Sequence, residues 1–140
     1  MNTNQIAATQ KTDMPFLAGL SETNGLKLNP NYNGSLSAKD LKQIQKDFPQ
    51  YQNLEKQTGV PWKIVAAMDL AVPDLLRSAK TMAHDIQTVS ASTNTKIPAD
   101  INESDAAKLV TLAKEQNPSA GKYLDNAYRY FCEINRAFSN

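Results

Sequence analysis

The sequence has very few of the residues from which disulfides and metal sites are built. Its 140 residues include one cysteine and one histidine. A single cysteine excludes a disulfide scaffold within the chain, and a structural zinc site needs about four Cys or His ligands. Neither a glycine-rich phosphate loop nor a cluster of paired acids stands out. We therefore expect no bound metal and no cofactor.

A strong excess of charge of one sign is also missing. The chain carries 15 Lys and Arg against 14 Asp and Glu, for a net charge of +1. Proteins that bind nucleic acid usually present a basic face, so we do not expect nucleic acid as a partner. No apolar run approaches the roughly 18 residues of a spanning helix. The opening residues lack the basic start and the apolar run of about 7–15 residues that mark a signal peptide. We expect a soluble protein without a signal peptide.

The chain divides into a polar arm, residues 1–36, and a helical domain, residues 37–140. The arm is rich in Asn, Thr, Ser and Gly and shows no sustained period. Its one apolar anchor is formed by Phe16, Leu17 and Leu20. A disordered tail and an arm that lies on a partner subunit both fit this composition. We take the second interpretation and expect these three side chains to bind other protein subunits.

Helical patterns follow one another from Ser37 onward, and no alternating strand pattern competes with them. Capping residues, glycines and prolines divide the domain into about six helices. The helix after Pro61 is apolar nearly all round, which places it at the centre of the domain. The predicted helices run from Ser37 to Phe48 with a stop at Pro49, from Tyr51 to Thr58, from Pro61 up to Pro73, from Pro73 to Val89, from Asn102 up to Asn117, and from Ser119 to Phe138.

The segment Tyr51–Met68 contains two motifs in a fixed order. Thr-Gly-Val-Pro-Trp at 58–62 ends a short helix and opens the next, and Ala66-Ala67 follows on the buried helix. This segment resembles the start of the catalytic core in lytic transglycosylases and related phage lysozyme-like proteins. The resemblance covers residues 51–68 only. It implies that the helical domain is a lysozyme-like core.

The same resemblance implies that the catalyst is missing. In the family a glutamic acid near the end of the buried helix protonates the glycosidic oxygen, and apolar surroundings raise its pKa. Aligned on the two motifs, that position is Val72 here, and valine has no proton to donate. The resemblance thus implies the scaffold of a pseudoenzyme. We lean towards a protein that is not an enzyme.

Two other acids are candidates for a displaced general acid. Asp69 is the sole acid in the buried helix, and Glu22 precedes a turn in the arm. The preferred interpretation of Asp69 is a hydrogen-bonded polar residue near a helix end, and that of Glu22 is a solvated turn residue. Both remain the catalytic candidates if the protein is active.

Aromatic residues around the family-like turn and on the last helix suggest a groove for sugars, because sugars stack on exposed rings. The candidates are Tyr51, Trp62 and Tyr128. Packing in the core is the alternative for each of them. His84 is predicted on a solvated helix face, and Cys132 as a small apolar residue beside the core.

The sequence therefore predicts an all-α protein, a compact bundle of about six helices with a degenerate lysozyme-like core and an extended N-terminal arm. The leading hypothesis is a non-catalytic structural or interaction protein, such as a bacteriophage virion or tail component, which binds other subunits and secondarily peptidoglycan. One alternative is an active muramidase or lytic transglycosylase that uses a displaced acid. The other is a helical adaptor unrelated to lysozymes.

Overall fold

A computed structural model describes residues 22–23, 25–71, 76–94 and 97–138 of the chain. These residues form five α-helices where the sequence predicts six, together with one 3-10 turn and one short strand pair. The helical prediction is confirmed, and the strand pair is an addition to it. The elements are β1 Glu22–Thr23, β2 Leu26–Lys27, α1 Ala38–Thr58, α2 Trp62–Ala71, α3 Leu76–Ser92, α4 Glu103–Gln116, the 3-10 turn Pro118–Ala120 and α5 Gly121–Ala137.

Helix α1 begins at the predicted cap and runs through the predicted stop. Ser37 Oγ accepts a hydrogen bond from the Asp40 N–H at 3.0 Å, which satisfies a free donor of the first turn. The prediction that Pro49 ends the helix is wrong, because Pro49 lies within α1 on its exposed side. Phe48 and Tyr51, on either side of it, are both buried. Packing of one continuous apolar face outweighs the roughly 3 kcal/mol that an internal proline costs.

The connection from α1 to α2 follows the sequence prediction. Gly59 adopts a left-handed conformation, with φ of +77°, and its N–H donates to the Glu55 carbonyl at 2.8 Å. This is the conformation in which glycine commonly ends a helix. Helix α2 then begins at Trp62, directly after Pro61, and the Trp62 N–H donates to Glu55 Oε1 at 3.1 Å. The turn therefore holds the two helices at a defined angle.

Helix α2 lies at the centre of the core, as predicted. Its residues 64–70 are all buried, and it packs against α1, α3 and α5. Along α5 the predicted apolar seam is confirmed, because every member of it is buried. The seam consists of Leu124, Ala127, Phe131, Ile134 and Phe138.

The remaining helices differ from prediction only at their ends. Helix α3 continues to Ser92, three residues past the predicted end at Val89. Helix α4 has the predicted cap, since Asn102 Oδ1 accepts from the Asp105 N–H at 2.8 Å. A 3-10 turn occupies residues 118–120, where the sequence predicts the start of the last α-helix.

The described part of the predicted arm belongs to the helical body. Leu26, Leu28 and Leu36 are buried in the same core as the helices. The Asn29 N–H donates to the Ala137 carbonyl at 2.7 Å, which ties the segment to the end of α5. Among the described residues, the core therefore includes leucines of the segment 25–36 as well as the helices. The burial of these leucines could not be predicted from the sequence, because three isolated leucines in a polar run carry no helical period.

The short strands lie at the start of this segment. Strands β1 and β2 pair antiparallel, with Glu22 opposite Lys27 and Thr23 opposite Leu26. The residues of the predicted anchor, Phe16, Leu17 and Leu20, lie outside the described residues. Within the described helices, none has the length and apolar character that crossing a bilayer requires.

Candidate functional site

Asp69 and Tyr51 form a buried pair between α2 and α1. Asp69 is 4% exposed and Tyr51 is completely buried. The Tyr51 hydroxyl donates a hydrogen bond to Asp69 Oδ2 at 2.7 Å. The catalytic candidate of α2 is therefore held by a tyrosine of the neighbouring helix, inside the core. This is the hydrogen-bonded polar residue that the sequence favoured as the interpretation of Asp69.

Burial dominates the electrostatics of the pair. It raises the pKa of the Asp69 carboxyl, while hydrogen bonds from Tyr51 and Gln43 act in the opposite direction and the Asp47 charge raises it further. The pKa of Tyr51 is also raised, first by burial and then by its bond to Asp69. On the α5 side, the Tyr123 hydroxyl donates to the Met68 carbonyl at 3.3 Å. The pair is thus enclosed by polar groups of α1 and α5.

Two other residues considered for catalysis are Val72 and Glu22, and the side chain of neither is among those that the structure describes. Val72, which takes the position of the family's glutamic acid, lies outside the described residues. Glu22 contributes its backbone to β1, and its side chain lies outside the described part of the chain. The structure therefore places one of the two candidate acids, Asp69, and it places that acid in the core.

The family-like turn opens onto a groove of about 480 Å³ that we call the Trp62 groove. It is lined by residues 25–30 on one side and by Phe48, Trp62 and Phe138 on the other. Phe48 and Phe138 each meet the Trp62 ring edge-on, at centroid distances of 4.9 and 6.2 Å. Phe48 and Phe138 are buried, whereas Trp62 is half-buried. Trp62 is therefore the most accessible of the three rings.

The three aromatic candidates for sugar binding do not come together. Trp62 lines the groove, but Tyr51 is completely buried and presents no ring face to a ligand. Tyr128 is half-buried on α5, where its hydroxyl donates to the Glu103 carbonyl at 3.3 Å. Tyr128 borders a narrow apolar cleft between α2, α4 and α5, which is separate from the groove. Of the predicted set, Trp62 alone lies in a groove large enough for a ligand.

A polar cluster that the sequence analysis missed fastens the N-terminal segment to α5. The Tyr32 hydroxyl and the Ser35 N–H both donate to Glu133 Oε1, at 2.7 and 3.0 Å. Arg136 Nη1 lies 3.3 Å from the other oxygen, Glu133 Oε2. We call these four residues the Glu133 clamp. A lone tyrosine among turn-forming residues is the one signal that could have revealed it.

The hydrogen bonds of the clamp shift the acidity of its members. The bond from Tyr32, with help from Ser35 and Arg136, lowers the pKa of the Glu133 carboxyl. Burial, followed by the bond to Glu133, raises the pKa of Tyr32 to about 12. Glu133 is therefore ionised and Tyr32 protonated across the neutral range. Residues 25–30, which form one wall of the Trp62 groove, come shortly before the clamp along the chain.

His84 and Cys132, the two remaining reactive residues of the sequence analysis, lie on α3 and α5. His84 is exposed on α3, as predicted. Burial raises the pKa of the half-buried Cys132 thiol, and a raised pKa lowers the reactivity of a thiol. Among the described residues, no group of three or more His, Cys, Asp or Glu side chains is placed to hold a metal ion.

Comparison with known proteins returned no relative of this chain. No family model matches the sequence, and no curated protein or solved structure matches it either. The resemblance of residues 51–68 to lytic transglycosylases stays a prediction.

Proposed function

We propose that this chain is a non-catalytic structural or interaction protein. The observation that carries the proposal is the burial of Asp69 against Tyr51. A general acid has to come within about 2.6–3.2 Å of the atom that it protonates. Asp69 is 4% exposed and already bonded to Tyr51 in the core. In this arrangement the carboxyl joins α1 to α2, and it lies out of reach of a polysaccharide.

The scaffold that we propose is a lysozyme-like core that has lost its catalyst. The turn at residues 58–62 and the buried helix α2 support it, since both have the local form that the family-like sequence implies. Such a domain fits a bacteriophage virion or tail component. Its partners are other protein subunits, and Phe16, Leu17 and Leu20 are the contacts that we propose for them.

Peptidoglycan is a second proposed partner, and the Trp62 groove favours it. The groove combines a half-buried indole with the polar residues Lys27 and Asn29. Sugar binding usually combines ring stacking with hydrogen bonds from such groups. This proposal needs no catalytic acid, because a groove can hold a glycan without cleaving it.

Incubation of the purified chain with bacterial peptidoglycan tests the proposal. Soluble muropeptides are measured by chromatography, and bound protein is measured by sedimentation. We expect no release above a buffer blank. Release that is lost in Glu22→Gln, or in a folded Asp69→Asn chain, would instead establish the alternative of an active hydrolase.

Sedimentation separates the remaining possibilities. Co-sedimentation that is reduced in Trp62→Ala and retained in Tyr130→Ala would assign glycan binding to the Trp62 groove. Tyr130 is a matched control, because it is a half-buried aromatic residue that does not line this groove. A chain that neither releases nor binds peptidoglycan would fit a protein-binding component or an unrelated helical adaptor.

A further inference from the structure

The loop formed by residues 32–36, which we call the Tyr32 loop, is fastened to α5 through one carboxylate. The Tyr32 hydroxyl and the Ser35 N–H donate to the same oxygen, Glu133 Oε1, at 2.7 and 3.0 Å. The Tyr32 hydroxyl in turn accepts a hydrogen bond from the Leu36 N–H at 2.9 Å. The bonds of Tyr32, Ser35 and Leu36 therefore all depend on the side chain of Glu133.

Gly34 lies where the loop passes closest to this carboxylate. A Cβ added at Gly34 would overlap Glu133 Oε1 and the Tyr32 ring. The loop can therefore wrap around the carboxylate only because residue 34 has no side chain. A larger residue at this position would push the loop away from α5 without changing any charge.

Both ends of the Tyr32 loop are held by bonds that do not involve Glu133. Before the loop, the Asn29 N–H donates to the Ala137 carbonyl at 2.7 Å. After it, Ser37 Oγ accepts from the Asp40 N–H at 3.0 Å and caps α1. The acceptors of these two bonds are a backbone carbonyl and a hydroxyl, and neither titrates in acid. Only the middle of the segment is thus held by a group that acid can neutralise.

We propose that protonation of Glu133 releases the Tyr32 loop from α5, while both ends of the loop and the helical body stay in place. The charged and titratable groups that face Glu133 are Tyr32 from the loop and Arg136 from α5, with Glu103 of α4 beyond Arg136. Protonation removes the charge that strengthens the two bonds to Oε1, since bonds to an ionised acceptor are roughly twice as strong as neutral ones. It also ends the attraction between Glu133 Oε2 and the Arg136 guanidinium, which lie 3.3 Å apart.

Acid acts in opposite directions on this contact and on the core. The bond from Tyr32, with help from Ser35, lowers the pKa of the Glu133 carboxyl. The contact is therefore complete above about pH 4.5 and weakens as pH falls through the folded-state value. Burial raises the pKa of Asp69, so the contribution of Asp69 to the core is retained in acid. We expect the loop to open at a pH at which α1 and α2 are still packed together.

This inference goes beyond the proposed function and does not depend on it. The Trp62 groove keeps its wall, because residues 25–30 lie outside the loop and Asn29 stays bonded to the end of α5. The opening instead exposes Leu36, which is buried when the loop is closed. Acid thus uncovers apolar surface beside the start of α1.

Amide hydrogen exchange of the wild-type chain, measured by NMR between about pH 3 and pH 7, tests the proposal. Exchange is expressed as protection factors, which correct for the intrinsic effect of pH on the exchange rate. The amides of Ser35 and Leu36 report on the loop, that of Asn29 on its fixed end, and that of Met68 on the buried helix α2. Protection of Ser35 and Leu36 should fall about tenfold as Glu133 is protonated, because two bonds lose their charged acceptor. Asn29 and Met68 should keep their protection.

Three variants separate the charge of Glu133 from the shape of the loop. Glu133→Gln should lower the protection of Ser35 and Leu36 at pH 7 and remove its dependence on pH. Gly34→Ala retains the carboxylate but displaces the loop, so it should lower the same protection at pH 7. Glu115→Gln, on an exposed position of α4, is the matched control and should behave like the wild type.

Two results would overturn the proposal, and both come from the wild-type chain, so they apply even if a variant fails to fold. One is protection of Ser35 and Leu36 that stays constant while Glu133 titrates. The other is protection that is lost at the same pH by Ser35, Leu36 and Met68 together, which would show that acid unfolds the whole chain and does not release the loop.

Discussion

The hydroxyl of Tyr51 and the carboxyl of Asp69 meet at 2.7 Å between the two helices that the family-like turn connects. Both side chains are buried, and their neighbours include Asp47 and Gln43 of α1 and Tyr123 of α5. A buried carboxyl is stable in a core only when it is hydrogen-bonded or protonated. The chemistry of Asp69 is therefore coupled to the stability of the fold, and this coupling can be measured.

The stability of the wild-type chain relative to Asp69→Asn should fall as pH rises. Burial raises the folded-state pKa of Asp69 above its ordinary value of 3.8, so the folded state binds this proton more tightly than the unfolded state. The resulting stability is fully present below the ordinary pKa and is lost as pH rises through the raised value. The amide side chain of the variant does not titrate, so the variant lacks this dependence.

Urea unfolding of both chains between about pH 4 and pH 8 checks this prediction. The difference in the free energy of unfolding, wild type minus variant, should be larger at the acid end. Titrating groups that do not interact with Asp69 are shared by the two chains and cancel in the difference. A difference that grows with pH would show that Asp69 is stabilised as the charged form, contrary to this account.

Glu133→Gln should destabilise the chain by about 1–2 kcal/mol at neutral pH, because hydrogen bonds to a charged group are the stronger kind. The pH dependence should be opposite to that of Asp69. The folded-state pKa of Glu133 is lowered, so its contribution is present above about pH 4.5 and is lost as pH falls through the folded-state value. Glu115→Gln, on an exposed position of α4, is the matched control.

Urea unfolding of the Glu133→Gln and Glu115→Gln variants at pH 7 and at about pH 3 checks this prediction. The penalty of Glu133→Gln should shrink at the lower pH, while Glu115→Gln should have little effect at either. Equal penalties for the two variants at pH 7 would mean that the Glu133 clamp does not stabilise the N-terminal segment.

Gly59→Ala and Gly121→Ala should have opposite effects on thermal stability. Gly59 has a φ of +77°, a left-handed backbone conformation that costs a residue with a side chain about 1–2 kcal/mol. The cost comes from the backbone and not from crowding, because the nearest atom to a new Cβ, Gln87 Nε2, would lie at 3.5 Å. Gly121 has ordinary helical angles, with φ of −55° and ψ of −46°, so alanine there should gain about 0.5 kcal/mol. Thermal unfolding of the two variants and the wild type, followed by circular dichroism, measures the direction of each change in melting temperature. A stabilising Gly59→Ala would contradict the left-handed turn before α2.

Helices, caps and buried faces could be predicted from the sequence wherever a single local pattern determines them. The buried α2, the caps at Ser37 and Asn102 and the apolar seam of α5 all follow from periodicity and capping chemistry. Pro49 shows where this reasoning fails. Its local preference is to stop a helix, but buried Phe48 and Tyr51 lie on one face, and their packing keeps α1 continuous.

Two central polar contacts, Tyr32 with Glu133 and Tyr51 with Asp69, could not be predicted from the sequence, because each joins residues that no local pattern relates. Tyr32 and Glu133 are 101 positions apart, and Tyr51 and Asp69 are 18 apart. Nothing in the local sequence of Tyr51 distinguishes a core hydrogen-bond donor from a ring that stacks on a sugar. The packing of α1 on α2 decides between the two, and it places the hydroxyl on Asp69.

A double-mutant cycle between Tyr51 and Asp69 is the most direct measurement of the central claim, that Asp69 serves the fold. The free energy of unfolding is measured for the wild type, Tyr51→Phe, Asp69→Ala and the double variant at pH 7. We predict a coupling energy of about 1–3 kcal/mol, with each single variant clearly destabilised. A coupling energy of zero would contradict the account, and it would return Asp69 to the candidates for a general acid.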